Sequence, residues 1–178
     1  MISWKNHFLY LADYQHWAND QLFAALDKLS DEARKRDEGM FYKSIHGTLN
    51  HLLAANLIWL GRFKQEPADY RFDQILFEDW RELKLATKQT VRQSQHFIEA
   101  QPAEFFDGEL RFKNASGKEQ THWVHDILTH LALRLAHHRG QVAGVAARLG
   151  APVVEMDYLE YRRDMQETLS NARQASGR

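Results

Sequence analysis

The sequence predicts an all-α protein: a four-helix bundle with a long crossover, short extra helices and a small β-hairpin insertion. Only 3 prolines and 9 glycines interrupt the 178 residues. Between them, apolar residues recur every three or four positions, as they do on the buried face of a helix. Residues 64–76 lack this period and are too long for a tight helical hairpin, which indicates a crossover between two helices. We expect one domain over residues 1–172 and a flexible tail over residues 173–178.

Local signals predict the individual elements in chain order. The apolar period predicts four long helices, at residues 4–29, 44–63, 78–100 and 124–149. Ser30 is a suitable N-cap for a short second helix, and a final helix covers residues 157–172. Between Glu109 and Trp123 the apolar period changes to two, with the turn-forming residues 114–117 at its centre. This segment is therefore predicted to form the β-hairpin.

Charge and hydropathy exclude two classes of partner. Lys and Arg total 23 and Asp and Glu total 24, so the formal net charge is -1. Phosphate neutralisation requires a concentrated surplus of Lys and Arg, so we expect no nucleic-acid partner. The most apolar run, residues 52–60, is about half of the roughly 20 residues that cross a bilayer, and the first residues do not resemble a signal peptide. We expect a soluble cytoplasmic protein with no membrane partner.

The histidines are the first candidates for chemistry. The chain has no cysteine and 10 histidines, so thiolate zinc sites, iron–sulfur clusters and cysteine nucleophiles are excluded. Half of the histidines lie between positions 122 and 138, in the last predicted long helix or just before it, namely His122, His125, His130, His137 and His138. Positions 130, 134 and 138 advance by about 40° per step and share one stripe of that helix. Only one of His137 and His138 can point into the bundle, and we predict that it is His138.

A second inward histidine is predicted on the helix over residues 44–63. His51 lies beside Leu52 and Leu53, whereas His46 faces another direction. Neutral imidazoles from facing bundle helices can hold Zn, Ni or Fe. The alternative is that His51 is a hydrogen-bonded histidine of the core.

Three segments carry a resemblance to a known family. They are Ser44-Ile45-His46-Gly47-Thr48-Leu49-Asn50-His51-Leu52, His137-His138-Arg139-Gly140-Gln141-Val142, and Tyr14-Gln15-His16-Trp17-Ala18-Asn19-Asp20-Gln21-Leu22-Phe23. In this order, over nearly the whole chain, they resemble the DinB/YfiT-like superfamily of metalloenzymes. The resemblance implies a four-helix bundle with a long crossover and a homodimer. It also implies a divalent metal, Zn or Ni, held by three histidines, one from the second long helix and two from the last.

This sequence departs from the family pattern at one ligand position. The first metal ligand falls on His51 and the third on His138, but the second falls on Arg134. A guanidinium stays protonated and has no lone pair to offer a metal. The metal is then lost, or it is held by His51 and His138 with water or a substitute such as His130 or Asp13 while Arg134 turns outward. In a third possibility Arg134 binds a carboxylate or phosphate of the substrate between the two histidines.

Two functions follow from these possibilities. The resemblance implies a metal-dependent enzyme of the hydrolase or thiol-dependent transferase class, acting on a small molecule that the sequence does not identify. The alternative is a non-catalytic dimeric bundle that has lost the metal and binds a small anionic ligand. In the predicted helix over residues 124–149, we expect Gly140 to allow close packing against a neighbour and Arg139 to reach a carboxylate.

Overall fold

The structure is a computed structural model that describes residues 3–66 and 69–176. Within these ranges the chain forms six α-helices, one short 3₁₀ helix and a two-stranded sheet. The helices are α1 (Trp4–Leu26), α2 (Asp31–Lys35), α3 (Ile45–Lys64), α4 (Trp80–Ala100), α5 (Val124–Arg148) and α6 (Tyr158–Ser176). The 3₁₀ helix is Ala103–Asp107, and the strands are β1 (Glu109–Lys113) and β2 (Glu119–Trp123). The predicted four-helix bundle with a small hairpin is confirmed.

The four long helices α1, α3, α4 and α5 form the bundle. Helix α1 packs against α4 and α5, and α3 packs against the same two helices. Lys5 at the start of α1 donates from Nζ to the carbonyl of Gln101 at the end of α4, at 2.9 Å. Helices α1 and α4 are therefore antiparallel. Apolar residues fill both ends of the bundle in two clusters that share no buried residue.

The two clusters also fix the direction of α3. Its first turns pack in the cluster that contains Leu26 and Trp80, and its last turns pack near Phe8 and Ile98. Helix α3 is thus antiparallel to α1 and parallel to α4. Parallel neighbours require the chain between them to return along the whole bundle, which explains the crossover that the sequence predicts.

The crossover is fastened to α3 by buried polar side chains. Asn50 accepts from the backbone N–H groups of Leu76 and Phe77 at 2.8 and 3.0 Å through Oδ1. Its Nδ2 donates to the carbonyl of Phe77 at 3.2 Å, and Nε2 of His46 donates to the same carbonyl at 2.9 Å. Buried backbone groups need such partners, so His46 and Asn50 have a structural role.

Helix boundaries follow the predicted ones within a few residues. Helix α1 ends at Leu26, three residues earlier than expected, and α6 continues to Ser176 instead of ending at residue 172. The predicted tail thus begins inside α6, and residues 177 and 178 lie outside the described residues. In the part of the chain that the structure describes, no helix combines the length and the apolarity needed to cross a membrane.

The hairpin has the predicted position and its turn has a clear cause. Strands β1 and β2 are antiparallel, with Glu109 opposite Trp123. Oδ1 of Asn114 accepts from the backbone N–H groups of Ser116 and Lys118. Gly117 adopts a φ of +78°, which favours glycine. The chain then enters α5 directly after Trp123, so the hairpin lies at the end of the bundle where α5 begins.

Candidate functional site

His51 lies in the core and its ring is held on two sides. The residue is 0% exposed, and Nδ1 lies 2.7 Å from the carbonyl oxygen of Phe72 in the crossover. The ring of Tyr42 stacks on the imidazole with 3.8 Å between centroids and 13° between planes. Because a carbonyl only accepts, Nδ1 carries the proton and donates to Phe72. The lone pair of His51 is therefore on Nε2.

Arg134 of α5 donates a hydrogen bond to that lone pair. Its Nη2 lies 3.0 Å from Nε2 of His51 and 3.4 Å from the hydroxyl oxygen of Tyr42. A guanidinium has only donors, so His51 and Tyr42 both accept from it. Burial lowers the pKa of His51 to about 4, and the charge of Arg134 acts in the same direction. His51 is thus a neutral acceptor fixed in one tautomer.

His138 completes the cluster from the next turn of α5. Its ring centroid lies 5.0 Å from that of His51 and 5.8 Å from that of Tyr42. Its Nδ1 lies 2.9 Å from Oε1 of Gln141, so Nδ1 donates and Nε2 carries the lone pair. Burial lowers the pKa of His138, and the charge of Arg134 adds to this effect. We call the group of His51, Arg134, His138 and Tyr42 the histidine–arginine cluster.

The histidine–arginine cluster carries one positive charge at neutral pH. Both histidines have lowered pKa values, and burial raises the pKa of the Tyr42 hydroxyl. These three side chains are therefore neutral, and the guanidinium of Arg134 is the charged member. In the described part of the chain, no carboxylate forms an ion pair with Arg134. A half-buried positive charge without a carboxylate partner favours an anionic ligand.

The structure brings together only some of the residues that the sequence singles out. His51, His138 and Arg134 meet, whereas His130 is exposed on α5. Residues four positions apart on a helix differ by about 40° in direction, and His130 lies two such steps from His138. Its side chain therefore points away from the cluster. Asp13 lies elsewhere and accepts from Nε2 of Gln95 at 2.8 Å. Arg134 points into the cluster and does not turn outward.

Sequence reasoning missed two members of this site. Gln141 follows His138 by three residues, which places both on one helix face, so a signal for this pair was available. Tyr42 lies in the connection before α3, where no apolar period operates. Its position depends on Gly47, one turn before His51, which leaves room for the Tyr42 backbone.

One expectation about the next residues of α5 is wrong, and a second has no counterpart within this chain. Arg139 reaches an amide instead of a carboxylate: its Nη1 donates to Oε1 of Gln15 at 2.6 Å. A Cβ atom added to Gly140 would meet no described atom within 4 Å. Gly140 therefore provides no close approach within this chain, because the outward face of α5 at this point is exposed.

The fold and the site together define a class of protein: a helical bundle whose crossover passes over a pair of facing histidines. A family model described as DinB family matches residues 4–170. The chain belongs to the DinB family. It is similar to Protein DinB of Bacillus subtilis (strain 168), with 24% identity over 153 residues, which cover 83% of this chain and 89% of that protein.

A solved structure supports the fold independently. YfiT from Bacillus subtilis, described as a probable metal-dependent hydrolase with an unusual four-helix bundle topology, is similar with a TM-score of 0.63 at 12% identity. The similarity covers 83% of this chain and 88% of YfiT. At this identity the likeness shows a shared fold.

The residues of the histidine–arginine cluster do not fit the divalent metal that the family resemblance implies. Within residues 3–66 and 69–176, no three His, Cys, Asp or Glu side chains are grouped to hold a metal ion. The cluster offers two imidazoles, and Arg134 already binds the lone pair of one of them. A metal on Nε2 of His51 would also lie a few ångströms from a fixed positive charge, with a repulsion on the order of several kcal/mol.

Proposed function

We propose that this DinB-family protein binds a small anion, a carboxylate or a phosphate, at the guanidinium of Arg134 and without a metal ion. The observation that carries the proposal is the hydrogen bond from Arg134 Nη2 to His51 Nε2. This bond holds the guanidinium inside the bundle and occupies the lone pair that a metal would need.

Further donors of the cluster are available to a ligand. In the described residues, Arg134 makes hydrogen bonds only through Nη2, so the N–H groups on Nε and Nη1 can meet an anion. The Tyr42 oxygen accepts from Arg134, which leaves the proton of its hydroxyl free to donate. A carboxylate or phosphate fits this arrangement because both accept from the planar fork of a guanidinium.

The anion proposal can be tested by calorimetric titration with inorganic phosphate and with acetate at constant ionic strength. Wild type should bind at least one of the two, and Arg134→Gln should weaken that binding about tenfold or more, as expected for a lost charge-assisted hydrogen bond. Arg81→Gln, an exposed arginine of α4, is the matched control and should leave binding unchanged. Equal binding by wild type and Arg134→Gln would contradict the proposal.

A second candidate is the metal-dependent enzyme of the hydrolase or thiol-dependent transferase class. It is favoured by the anchoring of both histidines: each donates from Nδ1 to an oxygen and leaves Nε2 for a ligand, as metal-binding histidines do. The description of YfiT as a probable metal-dependent hydrolase points in the same direction. For this candidate Arg134 would have to leave His51 and another donor would have to replace it.

Metal analysis separates the two candidates. Untagged wild type should contain no stoichiometric Zn, Ni, Fe or Mn, whereas Arg134→His should bind one equivalent of Zn or Ni. His138→Gln added to Arg134→His should abolish that binding. A stoichiometric metal in wild type that disappears in His138→Gln would overturn the metal-free proposal and support the enzyme.

We also propose that the protein is a cytoplasmic homodimer whose partner is a small molecule and not a nucleic acid or a membrane. The near balance of 23 basic and 24 acidic residues supports the exclusion of a nucleic acid.

A further inference from the structure

A large cleft lies beside the histidine–arginine cluster and is separate from it. Its volume is about 940 Å³, and it is lined by the second half of α3, by β1, and by the segments around Phe41 and Tyr70. Tyr42 and Phe72 line the cleft and also contact His51. His51, Arg134 and His138 do not line it. The two sites thus share two walls but have different charged groups.

The charge of the cleft is strongly positive. Its lining contains four cations, Arg62, Arg71, Arg111 and Lys113, and one carboxylate, Asp73. Asp73 is engaged by Arg71, with Nε and Nη2 donating to its two carboxylate oxygens at 3.0 and 2.8 Å.

The other three cations have no acidic partner. Among the described residues, none of Arg62, Arg111 and Lys113 forms an ion pair. The whole chain has a net charge of -1, so this concentration of positive charge is local. A concave surface lined by one sign of charge attracts ligands of the opposite sign.

Arg62 is fixed in place before any ligand arrives. Its guanidinium lies over the rings of Trp59 and Phe112, with 4.5 and 4.6 Å to the two centroids. Its Nη2 donates to the carbonyl of Lys113 at 3.2 Å. A cation that is already held by two rings and a carbonyl loses little freedom when it binds an anion.

Aromatic rings at the cleft are exposed to solvent. Phe41 is 86% exposed and Tyr70 is 41% exposed, and both line the cleft together with Tyr42 and Phe72. Burial of Phe41 contributes little to the fold because most of its surface remains in water. Exposed rings next to cations provide a surface on which a flat ligand can stack.

We propose that this cleft binds a small aromatic anion, a flat ring that carries a phosphate or carboxylate, independently of the anion at Arg134. The anionic group meets Arg62, Arg111 and Lys113, and the ring stacks on Phe41 or Tyr70. The cleft volume is within the roughly 300–1,000 Å³ that is typical of small-molecule sites. This size favours a single small ligand over a polymer.

The charge part of the proposal is tested with 1-naphthyl phosphate in a calorimetric titration. Wild type should bind it, and the double variant Arg111→Gln/Lys113→Gln should weaken binding about tenfold or more. Lys118→Gln, on the turn of the same hairpin and outside the cleft lining, is the matched control and should bind as wild type does. Equal affinity of the double variant and wild type would overturn the proposal.

The ring part is tested by comparing three probes. In the Arg134→Gln variant, which lacks the other proposed anion site, inorganic phosphate and 1-naphthol should each bind at least tenfold more weakly than 1-naphthyl phosphate. Adding Phe41→Ala should weaken the binding of both naphthyl probes and leave that of inorganic phosphate unchanged. Equal affinity of Arg134→Gln for inorganic and naphthyl phosphate would overturn the role of the rings. A single-stranded RNA oligomer that binds more tightly than 1-naphthyl phosphate and displaces it would show a polymer site and would also overturn the proposal.

The Arg134→Gln variant distinguishes this inference from the proposed function. It should bind 1-naphthyl phosphate as wild type does, whatever happens to inorganic phosphate at the histidine–arginine cluster. A large loss of naphthyl phosphate binding in Arg134→Gln would show one continuous site and would contradict the independence of the cleft.

Discussion

Gly47 lies so close to the carbonyl oxygen of Tyr42 that a Cβ atom at residue 47 would overlap this oxygen. The close approach allows the ring of Tyr42 to stack on His51 one turn further along α3. A glycine inside a helix is unfavourable by roughly 0.5–1 kcal/mol relative to alanine. Here the missing side chain creates the space for one wall of the histidine–arginine cluster.

Gly47→Ala should therefore destabilise the protein, although alanine is the better helix former. The backbone of Tyr42 cannot move away cheaply, so we expect a loss of about 2 kcal/mol in the free energy of unfolding, as for overpacked positions. Denaturation with urea measures this loss. Gly144→Ala, where an added Cβ meets no described atom within 4 Å, is the control and should raise stability slightly. Equal effects of the two variants would show that the approach of Tyr42 imposes no constraint.

The stability of the protein should decrease as the pH falls from about 6.5 to about 4. The pKa of His51 is about 4 in the folded state and 6.5 as the ordinary value, so below pH 6.5 the unfolded chain binds a proton that the folded chain resists. The contribution of His51 is fully present above pH 6.5 and is lost towards pH 4. It amounts to about 3 kcal/mol, and His138 and His46 act in the same direction because burial lowers their pKa values.

His51→Gln isolates this effect because glutamine can still accept from Arg134 and does not titrate. Urea denaturation at several pH values should show that wild type loses up to about 1.4 kcal/mol more per pH unit than the variant within that window. Parallel pH profiles for the two proteins would contradict the lowered pKa of His51.

Asn50 should be essential for holding the crossover. It accepts from the backbone N–H groups of Leu76 and Phe77 and donates to the carbonyl of Phe77. In Asn50→Ala the two N–H groups lose this partner, whereas the carbonyl keeps the hydrogen bond from His46. We expect the free energy of unfolding to fall by about 3 kcal/mol. Hydrogen exchange at the amides of Leu76 and Phe77 should become fast. Asn56→Ala is the control, because Nδ2 of Asn56 donates only to Leu52 within the same helix, and it should cost less than half as much.

The sequence could predict the helices but not the contacts that hold the crossover. The helices and the hairpin depend on the apolar period and on turn residues, which are local features of the sequence. Their predicted positions therefore agree with the observed ones within a few residues. The partners of Asn50 and His46 are backbone groups of Phe77 and Leu76, 26 or more residues away. No residue type marks a backbone group as a distant partner, so these polar side chains could not be assigned a role from the sequence.

For the site too, the sequence could predict the residues but not the contact between them. The pairing of His51 with His138 followed from the family resemblance, and Arg134 was recognised as the unusual residue. The bond from Arg134 to His51 could not be predicted, because a long side chain on a helix can turn either inward or outward and only the packed neighbours decide between the two. The same limit applies to His130, which shares a stripe in projection but lies outside the cluster.

The homodimer implied by the family resemblance is a prediction about the chain in solution. Light scattering at micromolar concentration should give twice the mass of 20.9 kDa. The midpoint of thermal unfolding should rise with protein concentration, because association stabilises the folded chains by mass action. A mass of one chain across this concentration range would refute the homodimer without affecting the proposals about Arg134 and the cleft.

We expect the buried guanidinium of Arg139 to lower the free energy of unfolding. The residue is 3% exposed, its Nη2 has no described partner, and its Nη1 donates to the neutral amide of Gln15. The guanidinium also lies over the ring of Tyr14, at 5.0 Å from the centroid, which offsets part of the cost of burial. Burial lowers the pKa of Arg139, as expected when a charge is taken out of water without an opposite charge.

Two substitutions with opposite expected signs test this view. Arg139→Met keeps much of the volume and removes the buried charge, so the free energy of unfolding should be unchanged or higher by about 1–4 kcal/mol. Gln15→Leu keeps Arg139 but removes the acceptor of its Nη1, and it should cost about 3 kcal/mol or more. In the double variant the cost of Gln15→Leu should largely disappear, because no charge is left without a partner. A large loss of stability in Arg139→Met alone would show that the contacts of the guanidinium with Gln15 and Tyr14 outweigh its desolvation.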